Sequence, residues 1–84
     1  MTKFVLLHAP GAAAPPPDAG GELMEARRLA DPSLAVRVGP PPSSFGGYWI
    51  VDVDSLERAV EIAAAAGVSV EIRQVMSDRA GPDL

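Results

Sequence analysis

The sequence contains no cysteine and a single histidine. Without cysteine no disulfide can stabilise the fold, and one histidine cannot supply the four nitrogen or sulfur ligands of the common structural zinc sites. A chain of 84 residues removes only about 60% of its unfolded surface from water, so a hydrophobic core alone is marginal. We therefore expect one domain that is stabilised by association with a second copy, and that uses no metal or organic cofactor.

Clusters of basic residues and long apolar runs are also missing. Lys and Arg number 7 against 11 Asp and Glu, which gives a net charge of -4. Nucleic-acid affinity depends largely on clustered cations, so this composition argues against a nucleic-acid partner. No apolar run approaches the ~20 residues that span a bilayer, and the apolar stretch near the start covers only residues 4–7. We expect a cytoplasmic protein with no membrane partner.

Four segments have the pattern of strands. Residues 3–9 and 48–53 are apolar on both faces, which is typical of buried central strands. Residues 34–38 and 68–76 alternate between apolar and polar side chains, which predicts half-buried strands. Gly46-Gly47 directly precedes the strand predicted at 48–53, and we interpret it as a turn whose backbone conformations favour glycine.

Two segments have helical spacing. In residues 21–30 the side chains of Leu23, Ala26 and Ala30 share one helical face, which predicts a helix over 22–30. In the second segment, the apolar residues repeat at helical spacing from 56 to 66 and Gly67 ends the pattern. Asp54 is the predicted N-cap of this second helix, and Glu57 completes a capping box.

The element order β-α-β-β-α-β over residues 1–78 predicts a single α+β domain, followed by a flexible tail at 79–84. This order is that of the ferredoxin-like split βαβ fold, an antiparallel four-stranded sheet with two helices on one face. The first and third strands would be central, and both are apolar on the face that the helices leave uncovered. Soluble monomers rarely expose such a patch. We therefore expect a homodimer that buries this face and forms a dimeric α+β barrel.

A resemblance to a known family starts at the double glycine. Residues 46–59, GGYWIVDVDSLERA, and 67–76, GVSVEIRQVM, resemble the C-terminal half of the YCII-related family, in its DGPF-type branch. Residues 3–7, KFVLL, are similar to the first strand of that family. The resemblance implies the same fold and a dimeric barrel. It also implies acid–base chemistry on a small molecule, which enzymatic members perform with a histidine near the first helix and an aspartate.

The chain departs from that family at two functional positions. Where the family has Asp-Gly-Pro-Phe, this sequence reads Val38-Gly39-Pro40, and Phe45 is displaced. The predicted first helix, residues 22–30, contains no histidine. An acid–base pair at the positions that the family uses is therefore absent from the sequence.

His8 and Asp52 are the candidate catalytic residues. His8 is the only histidine and lies at the end of the first predicted strand, where its ordinary pKa suits proton transfer near neutral pH. Asp52 lies within the third predicted strand and could orient the imidazole if the two strands pair in a suitable register. The alternatives are a structural histidine at the end of the sheet and a solvent-facing Asp52 that restrains the following turn.

Tyr48 and Arg37 are the candidate ligand-binding residues. Arg37 could form a bidentate contact with a carboxylate or phenolate. Tyr48 and Trp49 point to opposite faces, and we assign Tyr48 to the site and Trp49 to packing. Arg73 shares a face with Glu71, and we interpret the two as an ordinary surface ion pair.

These observations lead to two hypotheses of function. The first is a homodimeric enzyme, of the isomerase, cyclase or lyase type, that acts on an apolar or aromatic small molecule by cofactor-independent proton transfer. The second is a non-catalytic ligand-binding or accessory dimer that has lost the acid–base pair. The missing histidine of the predicted first helix favours the second hypothesis.

Overall fold

A computed structural model describes residues 1–11, 15–36, 38–40 and 45–76. Its strands are β1 (Thr2–His8), β2 (Leu23–Arg28), β3 (Gly47–Val53) and β4 (Val70–Gln74). Its helical elements are one α-helix, α1 (Leu56–Ala64), and two 3-10 helices at Pro17–Glu22 and Pro32–Leu34. The strands form one antiparallel sheet in the order β2-β3-β1-β4. The fold class is therefore α+β.

The two strands that are apolar on both faces, β1 and β3, are the central strands, as the sequence predicts. They pair over their whole length, from Thr2 opposite Val53 to His8 opposite Gly47. β4 forms the edge of the sheet beside β1. It lies within the predicted strand 68–76 but is shorter than predicted. The apolar and alternating sequence patterns therefore predict three of the four strands.

The predicted helix at residues 22–30 is wrong, because residues 23–28 form strand β2 along the free edge of β3. Leu, Met, Glu, Ala and Arg all favour helices in isolation, but the propensities amount to a few tenths of a kcal/mol per residue, roughly. Pairing with β3 satisfies the backbone groups of a central strand and places Leu23 against the core. A register shift between Leu23 and Glu25 then sets which side chains of β2 point to each face.

The predicted strand at residues 34–38 is also wrong in the residues that the structure describes. Leu34 ends a 3-10 helix that begins at Pro32, where the Asp31 carboxylate accepts a hydrogen bond from the Ser33 amide at 2.9 Å. Val36 is 92% exposed and pairs with no strand. The edge of β3 that this segment would need is already taken by β2.

The second predicted helix is confirmed as α1, but its cap is one residue later than predicted. Ser55, not Asp54, is the N-cap, and its hydroxyl accepts a hydrogen bond from the Arg58 amide at 3.2 Å. This start places Ala59, Ile62 and Ala63 against the sheet. Glu57 lies in the first turn, where its negative charge interacts favourably with the positive end of the helix dipole. The prediction of two helices on one face is wrong, since α1 is the single α-helix among the described residues.

One face of the sheet, the covered face, carries the hydrophobic core. Side chains of β1 and β3 pack there against α1, and Ala19 of the first 3-10 helix joins them. The main contributors from the strands are Phe4, Leu6, Trp49, Val51 and Val53. Trp49 is buried in this core, which confirms its predicted packing role.

An ion pair joins the first 3-10 helix to α1. The Arg58 guanidinium donates to both carboxylate oxygens of Glu22, with its shortest N–O distance at 2.8 Å. This hydrogen bonding lowers the pKa of the Glu22 carboxyl. The contact fixes the chain just before β2, where the sequence predicts the start of a helix.

The other face, here called the open face, carries the alternate side chains of the same strands. They are Lys3, Val5 and Leu7 of β1, Tyr48, Ile50 and Asp52 of β3, Glu25 and Arg27 of β2, and Glu71 and Arg73 of β4. No helix of the described ranges packs on this face. The described part of the chain therefore forms two layers, a sheet and one helical layer.

Some predictions fall on residues outside the described ranges. They are the candidate ligand residue Arg37 and the predicted flexible tail at 79–84. In the part of the chain that the structure does describe, no helix has the length and apolar character needed to cross a membrane.

Candidate functional site

His8 ends β1 on the covered face and is 2% exposed. Its Nδ1 lies 3.0 Å from the carbonyl oxygen of Ala9, which can only accept a hydrogen bond. Nδ1 therefore carries a proton, and Nε2 is the acceptor in the neutral ring. The imidazole also packs on Trp49, with ring centroids 4.8 Å apart and planes tilted by 38°. These contacts are those of a structural histidine at the end of a sheet.

Gly47 lies directly opposite His8 and makes this packing possible. A Cβ atom at position 47 would overlap the Arg27 carbonyl oxygen and lie 2.7 Å from His8 Nε2. Gly47 has no positive φ, so the position needs glycine for space and not for an unusual backbone conformation. The interpretation of Gly46-Gly47 as a turn with glycine conformations is corrected accordingly, because residue 47 is already in β3.

Asp52 lies on the open face, opposite Lys3, near the far end of β3. It is half-buried, and its Oδ1 is buried without a hydrogen-bond partner among the described residues. The alternative in which Asp52 simply faces solvent does not fit a buried oxygen. A buried carboxylate oxygen without a donor is costly to stability.

The structure does not bring His8 and Asp52 together. His8 pairs with Gly47, five residues before Asp52, so the two lie about 17 Å apart along the strands at ~3.4 Å per residue. They also point to opposite faces, because Phe4, Leu6 and His8 share the covered face with Trp49 and not the open face with Asp52. The antiparallel register is the cause. A catalytic role for either residue alone stays a prediction.

Tyr48 lies on the open face, and its hydroxyl donates to Glu25 Oε2 at 2.5 Å. Arg27 is the cross-strand neighbour of Tyr48 on the same face. The hydrogen bond to the Glu25 carboxylate raises the pKa of the Tyr48 phenol, since the bond favours the protonated form. A phenol, a carboxylate and a guanidinium thus meet at one corner of the face.

Glu25 and Arg27 are members of this corner that the sequence analysis missed. A helix over 22–30, as predicted, gives no indication that these residues contact Tyr48. A central strand needs a neighbour on each edge, and this requirement alone indicates a further strand beside β3. It does not say which segment of the chain supplies that strand. Arg73 and Glu71 are confirmed as a surface pair, 3.8 Å apart with both side chains largely exposed.

An open cleft of about 580 Å³ lies at the end of the sheet near His8. Its lining includes the side chains or backbone of Pro10, Arg28, Leu29, Asp31, Pro32 and Gly46. The volume is within the range of small-molecule sites, roughly 300–1,000 Å³. His8, Asp52 and Tyr48 do not line it.

Comparison with protein-family models, curated proteins and solved structures finds no match to this chain. The resemblance to the YCII-related family stays a prediction. In the described part of the chain, no group of three or more His, Cys, Asp or Glu side chains is placed to hold a metal ion.

The Tyr48–Glu25 hydrogen bond predicts a measurable change in the titration of the phenol. Tyr48 is the only tyrosine, so the ultraviolet absorbance of tyrosinate reports this residue alone. The pKa of Tyr48 is raised above its ordinary value of 10.0. We expect Glu25→Gln to lower it towards that value, while Glu57→Gln, on α1, leaves it unchanged.

The same contact predicts a loss of stability at high pH. The folded state holds the phenolic proton more tightly than the unfolded chain does, so the contribution is complete below a pH of about 10 and is lost as the pH rises through the folded pKa. The free energy of unfolding, measured with urea, should fall less steeply above about pH 10 in Tyr48→Phe than in the wild type. Equal slopes, or a Tyr48 pKa that Glu25→Gln does not change, would contradict the contact.

Proposed function

We propose that this chain is a homodimeric ligand-binding or accessory protein whose two subunits pack through their open faces. The observation that carries the proposal is the position of His8 and Asp52 on opposite faces of the sheet. General acid–base catalysis by a pair needs hydrogen-bond reach between the two groups. The separation supports the hypothesis in which the acid–base pair is lost.

The character of the open face supports the dimer. At its centre, Val5 and Leu7 of β1 lie beside Tyr48 and Ile50 of β3, and all four are half-buried. Contiguous apolar side chains on an otherwise uncovered face are common at protein–protein interfaces. Two twisted sheets can pack face to face with their strands aligned to within about 30°, and a four-stranded antiparallel face is suited to such packing.

The proposed fold is a ferredoxin-like domain with its first helix replaced. The sheet order and the crossover from β3 through α1 to β4 support this assignment. The crossover from β1 to β2 runs through the 3-10 helix Pro17–Glu22 where that fold has an α-helix. The dimer then corresponds to the dimeric α+β barrel that the sequence analysis predicts.

The cleft beside Gly46 is the proposed binding place for an apolar or aromatic small molecule. Its walls combine apolar groups, such as Leu29 and Pro32, with the charged side chains of Arg28 and Asp31. Small-molecule sites usually have this composition of apolar walls with a few polar groups. Arg28 is suited to a carboxylate on such a ligand, because a guanidinium binds carboxylates in a bidentate manner.

A cofactor-independent acid–base enzyme is the second candidate. The observation that favours it is the Tyr48–Glu25 hydrogen bond, which places a proton between a phenol and a carboxylate. Catalysis would then depend on Tyr48 and Glu25 on the open face, and not on His8 with Asp52. Conversion of a bound compound to a product, lost in Tyr48→Phe, would favour this candidate over the first.

The dimer is tested by a charge at the centre of the open face. Wild-type protein should sediment at about 17 kDa, twice the 8.7 kDa of one chain. Ile50→Lys should sediment as a folded monomer, because it places an ammonium group in the apolar centre of the interface. Val60→Lys is the matched control, since Val60 is exposed on α1 and lies away from the open face. A monomeric wild type at micromolar concentration, or a dimeric Ile50→Lys, would contradict the proposal.

The ligand site is tested by nuclear magnetic resonance with benzoate and naphthoate as probes. We expect their addition to shift the backbone amide signals of Gly11, Leu29 and Gly46, which line the cleft. The neutral alcohols of the same rings should bind more weakly, because they cannot pair with Arg28. Shifts confined to the amides of Leu7 and Ile50 would place the ligand on the open face instead, and no shifts would reject this site.

A further inference from the structure

The charges of the open face form a regular pattern over two rows that cross all four strands. The first row, in the order β2, β3, β1, β4, is Arg27, Tyr48, Leu7 and Glu71. The second row, in the same order, is Glu25, Ile50, Val5 and Arg73. Each row has opposite charges at its two ends, and the order of the charges reverses from the first row to the second.

This pattern is complementary to itself. A two-fold axis that runs parallel to the strands, between β1 and β3, places β2 of one subunit over β4 of the other. Arg27 then lies over the partner's Glu71, and Glu25 lies over the partner's Arg73. Between these charges, Tyr48 lies over the partner's Leu7 and Ile50 over the partner's Val5. Charges of opposite sign across an interface fix its register and disfavour other arrangements.

A third row agrees with the same axis. Lys3 and Asp52 lie opposite each other in the centre of that row and carry opposite charges. The axis that pairs the first two rows places the partner's Lys3 over Asp52. Opposite charges therefore face each other across the interface in this row as well.

A two-fold axis perpendicular to the strands, between the first two rows, fits less well. It would pair Arg27 with the partner's Glu25 and Glu71 with the partner's Arg73. However, it would move the row of Lys3 and Asp52 beyond the end of the other sheet, where these two charges face no charge of opposite sign on the paired strands. The charges of the third row therefore favour the parallel axis.

The twist of the sheets is compatible with the parallel axis. The edge strands lie about 7 Å from this axis, so a packing angle of about 30° displaces them by about 4 Å relative to the partner. This displacement is smaller than the repeat of about 6.8 Å between side chains on one face of a strand. Arg and Glu side chains are long enough to span it, and the predicted pairs are kept.

We infer that the open face packs on a second copy of this chain about a two-fold axis parallel to β1 and β3, with its register set by ion pairs from Arg27 to the partner's Glu71 and from Glu25 to the partner's Arg73. The inference rests on the proposed homodimer and adds its geometry. It commits the interface to particular residue pairs, which can be tested without knowledge of the ligand.

The test uses two charge-reversal variants, Arg27→Glu and Glu71→Arg, alone and mixed in equal amounts. In a dimer of either variant alone, both copies of the pair between positions 27 and 71 become repulsive. We expect the dimer dissociation constant to rise at least about tenfold. In a heterodimer of the two variants, the Glu introduced at position 27 of one subunit faces the Arg introduced at position 71 of the other. The second copy of the pair consists of the unchanged Arg27 and Glu71. The mixture should therefore recover a dissociation constant within about threefold of the wild type, measured by sedimentation velocity.

Recovery in the mixture also shows that both variants fold. A mixture that does not recover, or single variants that dimerise like the wild type, would overturn the inferred pairing. If a mixture of Arg27→Glu and Glu25→Arg recovers the wild-type dissociation constant instead, the result would indicate the perpendicular axis. That outcome would also overturn the inferred pairing. In both cases the proposed homodimer still stands if the wild type is dimeric and Ile50→Lys is monomeric. A monomeric wild type would reject the homodimer itself.

Discussion

The pairing of β1 with β3 is the interaction on which the rest of the structure depends. Its register, from Thr2 opposite Val53 to His8 opposite Gly47, decides which side chains share a face. One set of alternate residues packs under α1 and forms the core, and the other set forms the open face. Because both strands are apolar on both sides, the sheet has two faces that favour burial. The described part of the chain has a helical layer for only one of them.

The two different faces of the sheet determine the surroundings of each candidate residue. His8 belongs to the core side, where Trp49 and the Ala9 carbonyl surround it and Gly47 leaves space for its ring. Asp52 and Tyr48 belong to the other side, with the charged side chains of the edge strands around them. In this account the open face is an interface between copies, and the cleft at the end of the sheet is left for a ligand. The proposed binding site and the proposed interface thus lie on different parts of one small domain.

The elements with strong local patterns could be predicted from the sequence, and the others could not. Residues 48–53 are apolar and β-branched on both faces, and α1 has a capped apolar stripe, so each is recognisable by itself. β2 is composed of helix-favouring residues and forms a strand only because β3 has a free edge. Residues 34–38 have the alternation of a strand, but the edge of β3 that they would need is taken by β2. The competition between two segments for one edge is a tertiary effect that local propensity does not contain.

The candidate site shows the same division. The opposite directions of Tyr48 and Trp49 follow from strand alternation, and the packing role of Trp49 is confirmed. The pairing of His8 with Asp52 depends on the register between two strands that are far apart in sequence, and alternation within each strand cannot give it. Glu25 could not be associated with Tyr48 until β2 was known as a strand. Inter-strand register is therefore the information that sequence patterns lack here.

The central claim is that the open face is buried against a second copy, and contacts between subunits test it most directly. Isotope-filtered nuclear Overhauser spectra of a mixture of labelled and unlabelled chains detect only contacts across an interface. The account predicts such contacts between the Tyr48 ring of one subunit and the Leu7 methyl groups of the other, and between Ile50 and Val5. A dimer whose filtered spectra contain contacts from Leu56 and Val60 of α1, with none from the open face, would contradict it.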